Sequence, residues 1–264
     1  MSKVLEKVVL SQILHHINCN KLLSDFQSAY RPHHSTETAL LKMTNDLLSA
    51  MDDGKISVLV RLDLSAAFDT IDHKILLHRL LNVVGFGDIV LSWFQSYLEN
   101  RTQTVVVHGN MENTRLQLLF VMVYHNDQFL DQYFLFFTQP LSNVIQQYPV
   151  FHQMYADDTQ IYKSCRPSEI VDTINSIEQC ISNAKTWMFH KKLQMNDDKT
   201  EAILFARKGL ATEHLPKSIK INGTAINFVP MLRDLGVTLD SSLSFNQHVM
   251  NTCRSAGIFG TETY

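Results

Sequence analysis

The run ISVLVRLDL, residues 56–64, places a mostly apolar stretch directly ahead of Asp63. Its branched residues read as a buried strand, which must be covered by other elements. The chain supplies them. In residues 3–17, Leu5, Val8, Val9, Ile13 and Ile17 fall near helical spacing. A second helix follows Ser35 as N-cap, with Leu40, Thr44, Leu47, Leu48 and Met51 as its inner stripe and Gly54 as its stop. Further helices are predicted from about Asp72 to Leu81 and over DIVLSWFQSYLEN. The cleanest period is in 168–190, with Ile170, Ile174, Ile177, Ile181, Ala184 and Met188. Short strands are predicted at TQTVVVHG, EAILFA, SIKINGTAINFV (turning at Asn222-Gly223) and LGVTLD. This order implies an α+β fold: a small, mainly antiparallel sheet covered by helices.

The 264 residues fit one large or two small domains, and 45% are hydrophobic, as in ordinary globular proteins. The net charge of -3 and pI of about 6.4 give no basic bulk signature of nucleic-acid binding, though a basic groove can sit on a neutral molecule. Cys19, Cys165, Cys180 and Cys253 form no CxxC pair, so neither a zinc ribbon nor a dense disulfide framework is indicated. A reducing compartment is the default for such a chain. The pairs His15-His16 and His33-His34 are adjacent and lack the spacing of helix-borne metal ligands. No apolar stretch approaches the roughly 20 residues of a membrane span. The N-terminus has no signal-like apolar core, and no oligomerisation signal is evident.

MYADDTQIYK, residues 154–163, sets Asp157 and Asp158 side by side inside a strand-like pattern. A plain hairpin turn accounts for the dipeptide, since aspartate suits such turns. The same tip can present paired carboxylates to a divalent cation, because Mg²⁺ takes oxygen ligands. A two-metal site needs another carboxylate from elsewhere, and Asp63 offers one. A lone buried carboxylate there would cost several kcal/mol unless paired or metal-bound. Asp69 reads as a helix cap or first-turn charge.

The segments LDLSAAFDTIDH and YADD resemble motifs A and C of reverse transcriptases, most closely those of non-LTR (LINE-type) retrotransposons. LLSDFQSAYRPHHSTETALLKM resembles the segment before motif A, and WFQSYLENRTQTVVV the next block. LQMNDDKTEAILFA resembles motif D, and LRDLGVTLDSSLSFNQHV the block after it. The resemblance covers nearly the whole chain. It implies a right-hand polymerase palm (56–240) with partial fingers (about 1–55) and a truncated start of a thumb (241–264), the thumb being largely missing.

By resemblance, Asp63, Asp157 and Asp158 hold two Mg²⁺ ions, with Mn²⁺ as a substitute. RNA template, DNA primer and deoxynucleoside triphosphates are the implied partners, and no membrane is. Phe68 matches the aromatic steric gate against a ribose 2′-OH; plain core packing is its alternative. Arg31 matches a phosphate-contacting fingers position, where a permanent, forked charge is useful. Lys199 matches the motif D lysine that protonates the leaving pyrophosphate; a solvated turn lysine is the alternative. Asn196 is expected to shape the loop before it. An intracellular location, nuclear or cytoplasmic, follows by family analogy alone.

One block departs from the pattern. The family carries a glycine-rich motif B similar to GVPQGSVLGP, whereas this chain reads MVYHNDQFLDQYFLFFTQPL over 122–141. No glycine occurs between Gly109 and Asn196. Reverse-translated in a shifted frame, VYHNDQFLDQ permits GVPQRSVLGP, and 133–137 permit VLFILY before the chain rejoins TQPLS. Segment 122–137 is therefore expected to be translated out of frame. His125, Asn126, Asp127, Asp131 and Gln132 then replace glycine-rich backbone, and Asp127 or Asp131 adds negative charge near three carboxylates. Polymerase activity is expected to be severely reduced or absent. A catalytically dead remnant, acting at most as a nucleic-acid-binding or interaction module, is the competing expectation. A two-metal nuclease fits the aspartates but not the order of the other blocks.

Overall fold

The computed structural model describes residues 2–65, 72–99, 102–107, 114–119 and 128–257. In chain order the elements are α1 (Ser2–Cys19), α2 (Thr36–Asp52), β1 (Ile56–Leu62), β2 (Leu64–Ser65), α3 (His73–Asn82) and α4 (Asp88–Leu98). Then come β3 (Thr102–Val107), β4 (Thr114–Leu119), α5 (Gln128–Ile145), β5 (Phe151–Tyr155), β6 (Asp158–Cys165) and α6 (Ile170–His190). The last are β7 (Gln194–Met195), β8 (Glu201–Phe205), β9 (Ser218–Ile221), β10 (Thr224–Asn227), β11 (Met231–Asp234), β12 (Val237–Asp240) and α7 (Asn246–Ser255).

The centre is a four-stranded sheet in the order β5-β6-β1-β8, antiparallel throughout. β1 is buried along almost its whole length because both faces are covered. Ile56, Val58, Val60 and Leu62 pack with α3, α5 and α6 residues such as Leu76, Phe137 and Ile177. Leu59, on the opposite face, joins Met43 and Leu47 of α2 and Leu232 and Leu239 of β11 and β12. Each fully buried aliphatic side chain of this kind stabilises the fold by about 1.5–3 kcal/mol. The strand ends at Leu62, short of the predicted boundary, and Asp63 interrupts the ladder before β2 pairs with β7.

α2 begins as predicted. Ser35 accepts from the Thr38 N–H, and Thr38 Oγ1 accepts from the Ser35 N–H, forming a reciprocal capping box. Its buried stripe runs through Ala39, Leu40, Met43, Thr44, Leu47, Ala50 and Met51. Leu48 is 42% exposed, correcting the predicted stripe; one residue beyond Leu47 turns about 100° away from the covered face. In α1 Ile13 and Ile17 are buried, whereas Leu5 and Val8 are exposed, correcting the predicted stripe. All six predicted core positions of α6 are buried. Asp72 caps α3 by accepting from the Lys74 and Ile75 N–H groups.

Asn222 and Gly223 both take positive φ and join β9 to β10, as the dipeptide predicted. LGVTLD proves to be a turn at Leu235-Gly236 leading into β12, paired with the unpredicted β11. The sequence signal there is a single four-residue alternation, Met231 and Arg233 outward, Leu232 and Asp234 inward.

Much of segment 122–137 falls in α5, which forms despite the departure from the family pattern. Leu135, Phe136 and Phe137 are buried. Pro140 lies inside this helix and lacks the N–H that would serve the Phe136 carbonyl four residues back. Arg79 of α3 compensates: its guanidinium donates to the carbonyls of Phe136, at 3.1 Å, and Phe137. The Phe137 and Trp187 rings lie 5.3 and 5.5 Å from that guanidinium. Phe68, Asp69 and residues 122–127 lie outside the described residues.

Candidate active site

The β1–β6 register places two of the predicted carboxylates side by side. Its last pair is Leu62 with Thr159, so Asp63 and Asp158 are the next residues on the two strands. β5 and β6 close with Tyr155 opposite Asp158, which leaves Ala156-Asp157 as the two-residue loop. The aspartates therefore do not share the turn. Asp157 sits in it and Asp158 opens β6, a correction to the Asp-Asp hairpin tip. Ala156 takes φ +54, in the left-handed region that residues with a Cβ rarely adopt.

The charge crowding bears on Asp158. Its carboxyl is pushed up to about 6, first by burial, then by Asp157 and Asp234; Arg61 opposes the shift and Asp63 adds to it. Arg61 Nη1 lies 3.7 Å from Asp158 Oδ1, while Nη2 donates to Glu201 at 2.9 Å. Asp234 is 1% exposed. Gln160 Nε2 donates to its Oδ1 at 2.8 Å, and Oδ2 has no hydrogen-bond partner among the described residues. Burial holds the Asp234 carboxyl above the usual carboxylate range, against the Gln160 bond and Arg61.

The Lys199 loop is tied to the same place. The Asn196 N–H donates to the Asp63 carbonyl at 2.8 Å, and the Asn196 side chain caps the turn by accepting from the Lys199 N–H. Asn196 thus shapes the loop, as expected. Lys199 Nζ stands 4.0 Å from Asp63 Oδ2 with its side chain 69% exposed. Lys185 pairs with Asp197 on the same turn. Arg31 bonds to the backbone of Gln27, whose side chain reaches the Ala156 backbone. It donates to the carbonyls of Ser24, at 2.9 Å, and Gln27, at 3.3 Å, and is 3.7 Å from Asp25.

Asp63, Asp157 and Asp158 provide hard oxygen donors of the type Mg²⁺ takes. Among the described residues no three acidic, His or Cys side chains are already gathered closely enough to hold an ion. The like charges around Asp158 are what a divalent cation would neutralise, so the residues fit such a group chemically. Sequence reasoning missed Arg61, Gln160, Glu201 and Asp234. Arg61 had a signal, as a cation in an apolar strand two residues before Asp63; the others had none, because only tertiary pairing brings them here.

The four-stranded antiparallel sheet, with carboxylates at one end and helices backing it, is an α+β arrangement consistent with a polymerase palm. The fold agrees: apo telomerase from Candida tropicalis superposes with a TM-score of 0.57 at 11% identity, over 91% of this chain and 40% of that one. Its form truncated from the C-terminal domain gives 0.54 at 14%, over 91% and 44%. Residues 1–122 match the reverse transcriptase (RNA-dependent DNA polymerase) family.

The RNA-directed DNA polymerase from mobile element jockey of Drosophila melanogaster is 24% identical over 95% of this chain. The probable RNA-directed DNA polymerase from transposon BS of the same species is 24% identical over 96%. The chain spans 27% and 28% of their lengths. Over nearly its whole length the chain is thus similar to RNA-directed DNA polymerases of mobile elements.

Proposed function

We propose that this domain is built for two-metal nucleotidyl transfer, in which a primer 3′ hydroxyl attacks a deoxynucleoside triphosphate opposite an RNA template. The observation that carries the reading is the placement of Asp63 and Asp158 as next neighbours on β1 and β6, with Asp157 in the adjoining turn. Asp63, Asp157 and Asp158 would hold Mg²⁺, or Mn²⁺ in its place. Bound there, the ions would supply the positive charge that stabilises the phosphate during in-line displacement. Asp158, titrating at about 6, carries a partial proton near neutrality, so metal binding competes with protonation and with Arg61.

Lys199 is assigned to give a proton to departing pyrophosphate, a role that its exposure and its 4.0 Å distance from Asp63 support. Phe68 is assigned to exclude a ribose 2′-OH. Arg31 is assigned to triphosphate contact, for which it must give up part of its backbone bonding in the 24–31 loop. Residues from 1 to about 55 serve as fingers, 56–240 as palm and 241–264 as thumb. The jockey and BS relatives, RNA-directed DNA polymerases by name, support the substrate class. A Candida tropicalis telomerase was solved with a fragment of telomeric RNA, which supports nucleic-acid binding by this fold.

Catalysis is impaired in this copy. The glycine-rich backbone of motif B is replaced in 122–137, and the family match ends at residue 122. The alternative is a dead remnant that binds nucleic acid or a partner without extending a primer. Primer extension on RNA with deoxynucleotides and Mg²⁺, run beside the Asp157→Asn, Asp158→Asn double variant, separates them. The expected result is extension far below that of an intact relative and absent in the variant. Extension at a rate typical of the family would refute the impairment. Salt-dependent binding to an RNA–DNA hybrid with no extension from either chain would favour the binding module.

A further inference from the structure

We infer that Gln27 is a positioning residue for the aspartate pair, clamping the Ala156–Asp157 turn through both polar groups of Ala156. This rests on the metal-binding reading of Asp157 and Asp158 given above. Gln27 is 4% exposed and lies 129 residues from Ala156 in sequence. Its Oε1 accepts from the Ala156 N–H at 3.1 Å and from the Ala29 N–H at 2.9 Å. Its Nε2 donates to the Ala156 carbonyl at 3.3 Å. Two N–H donors converge on one atom of the carboxamide, which fixes which end is oxygen.

The arrangement answers a need of the turn. In a two-residue hairpin loop, the first loop residue has no cross-strand partner for its N–H or its carbonyl, and partly buried polar backbone must find partners. Alanine at φ +54 has neither glycine's freedom nor the side-chain oxygen of asparagine to hold this conformation. Strain of this kind persists only where the surroundings over-determine it. Gln27 does so, and its own segment is anchored. The Ser28 N–H donates to the Met154 carbonyl at 2.9 Å, the Met154 N–H to the Phe26 carbonyl at 2.8 Å, and Gln153 Nε2 to Ser28 Oγ at 2.6 Å. The 26–29 segment therefore runs as a parallel brace beside β5, and its one inward amide seizes the turn that carries Asp157.

The test uses the full chain with Gln27→Met, which keeps length and apolarity but removes all three bonds. Gln27→Glu, which keeps the accepted bonds, is the conservative variant. Residue-resolved amide exchange and Mn²⁺ binding by electron spin resonance are read on each. In Gln27→Met the expected result is roughly hundredfold faster exchange at Ala156, unchanged protection in β1, and Mn²⁺ affinity lowered about tenfold. Gln27→Glu should restore most of the Ala156 protection. Wild-type exchange at Ala156, or wild-type Mn²⁺ affinity, in Gln27→Met would overturn the inference. If β1 also loses protection in Gln27→Met, Gln27→Glu decides: Ala156 held as in the wild type supports the clamp, and Ala156 released overturns it. If the wild-type chain itself binds no Mn²⁺, the metal reading fails, and Ala156 exchange alone judges the clamp.

Discussion

His152 should make the hairpin that carries the aspartates sensitive to mild acid. The residue is 3% exposed in β5, its Nε2 lies 2.8 Å from Ser142 Oγ, and its ring stacks on Phe26 with centroids 4.2 Å apart. Burial, aided by Lys42, lowers its pKa from 6.5 to about 4. The folded state therefore holds His152 neutral over a range where the unfolded chain takes up a proton. The unfolded state binds more protons, so stability rises with pH across this window. The contribution is fully present above pH 6.5 and is lost as pH falls toward about 4. Between about pH 7.5 and about pH 5 the loss comes to roughly 2 kcal/mol, at ~1.36 kcal/mol per unit.

Asp158 works in the opposite direction, because its raised carboxyl gains a proton in the folded state first as pH falls. Urea unfolding of the wild type alone would mix the two effects. The informative quantity is the pH dependence of the wild type minus that of His152→Gln, in which the Asp158 contribution cancels. A difference of about 2 kcal/mol between the two pH values is expected. A difference below about 0.5 kcal/mol would show that His152 is solvated or charged in the folded chain, and would refute the reasoning.

Two further outcomes follow from Arg79, which is buried, and Arg61, which is half-buried. Arg79→Met should cost about 2–4 kcal/mol in denaturant unfolding, since two buried carbonyls lose their donor. Much of that cost should vanish in a Pro140→Ala background, where the restored N–H serves the Phe136 carbonyl; equal costs in both backgrounds would sink the pairing of Arg79 with the proline gap. Arg61→Gln should raise the Asp158 pKa further, because Arg61 opposes the shift at present. Carboxyl-carbon NMR titration reads this directly, and an unchanged or lowered pKa would remove Arg61 from the site.

The parts of the fold legible in the sequence are those set by local periodicity. The isoleucine ladder of α6 and the capping box of α2 depend on residues within a turn or two of each other. Leu48 shows the limit: its spacing suits a core stripe, but the width of that stripe is set by β1 and β6 beneath it. The carboxylates were legible as candidates because an aspartate after an apolar run is costly unless paired, and because the Asp-Asp pair, in itself an ordinary turn, sits in a segment that resembles motif C. Their adjacency was not, since it depends on the β1–β6 register. Arg61, Gln160 and Asp234 come from three strands, and each looks ordinary in its own segment. Gln27 is invisible for the same reason, its role appearing only against a turn far along the chain.

The central place of β1 also bears on how the chain reaches this fold. Ser57 meets Ser164 across 107 residues, and Arg61 meets Glu201 across 140. During synthesis β1 emerges long before either neighbouring strand, with both edges unpaired and an almost unbroken apolar sequence. Long-range pairing of this type is slow, and the waiting strand is exposed to wrong partners, including the same strand of another chain. α2, complete just before β1, can shelter only the Leu59 face in that interval. Asp63 is thus made early and its companions late, so the carboxylate cluster exists only once β6 has closed on β1.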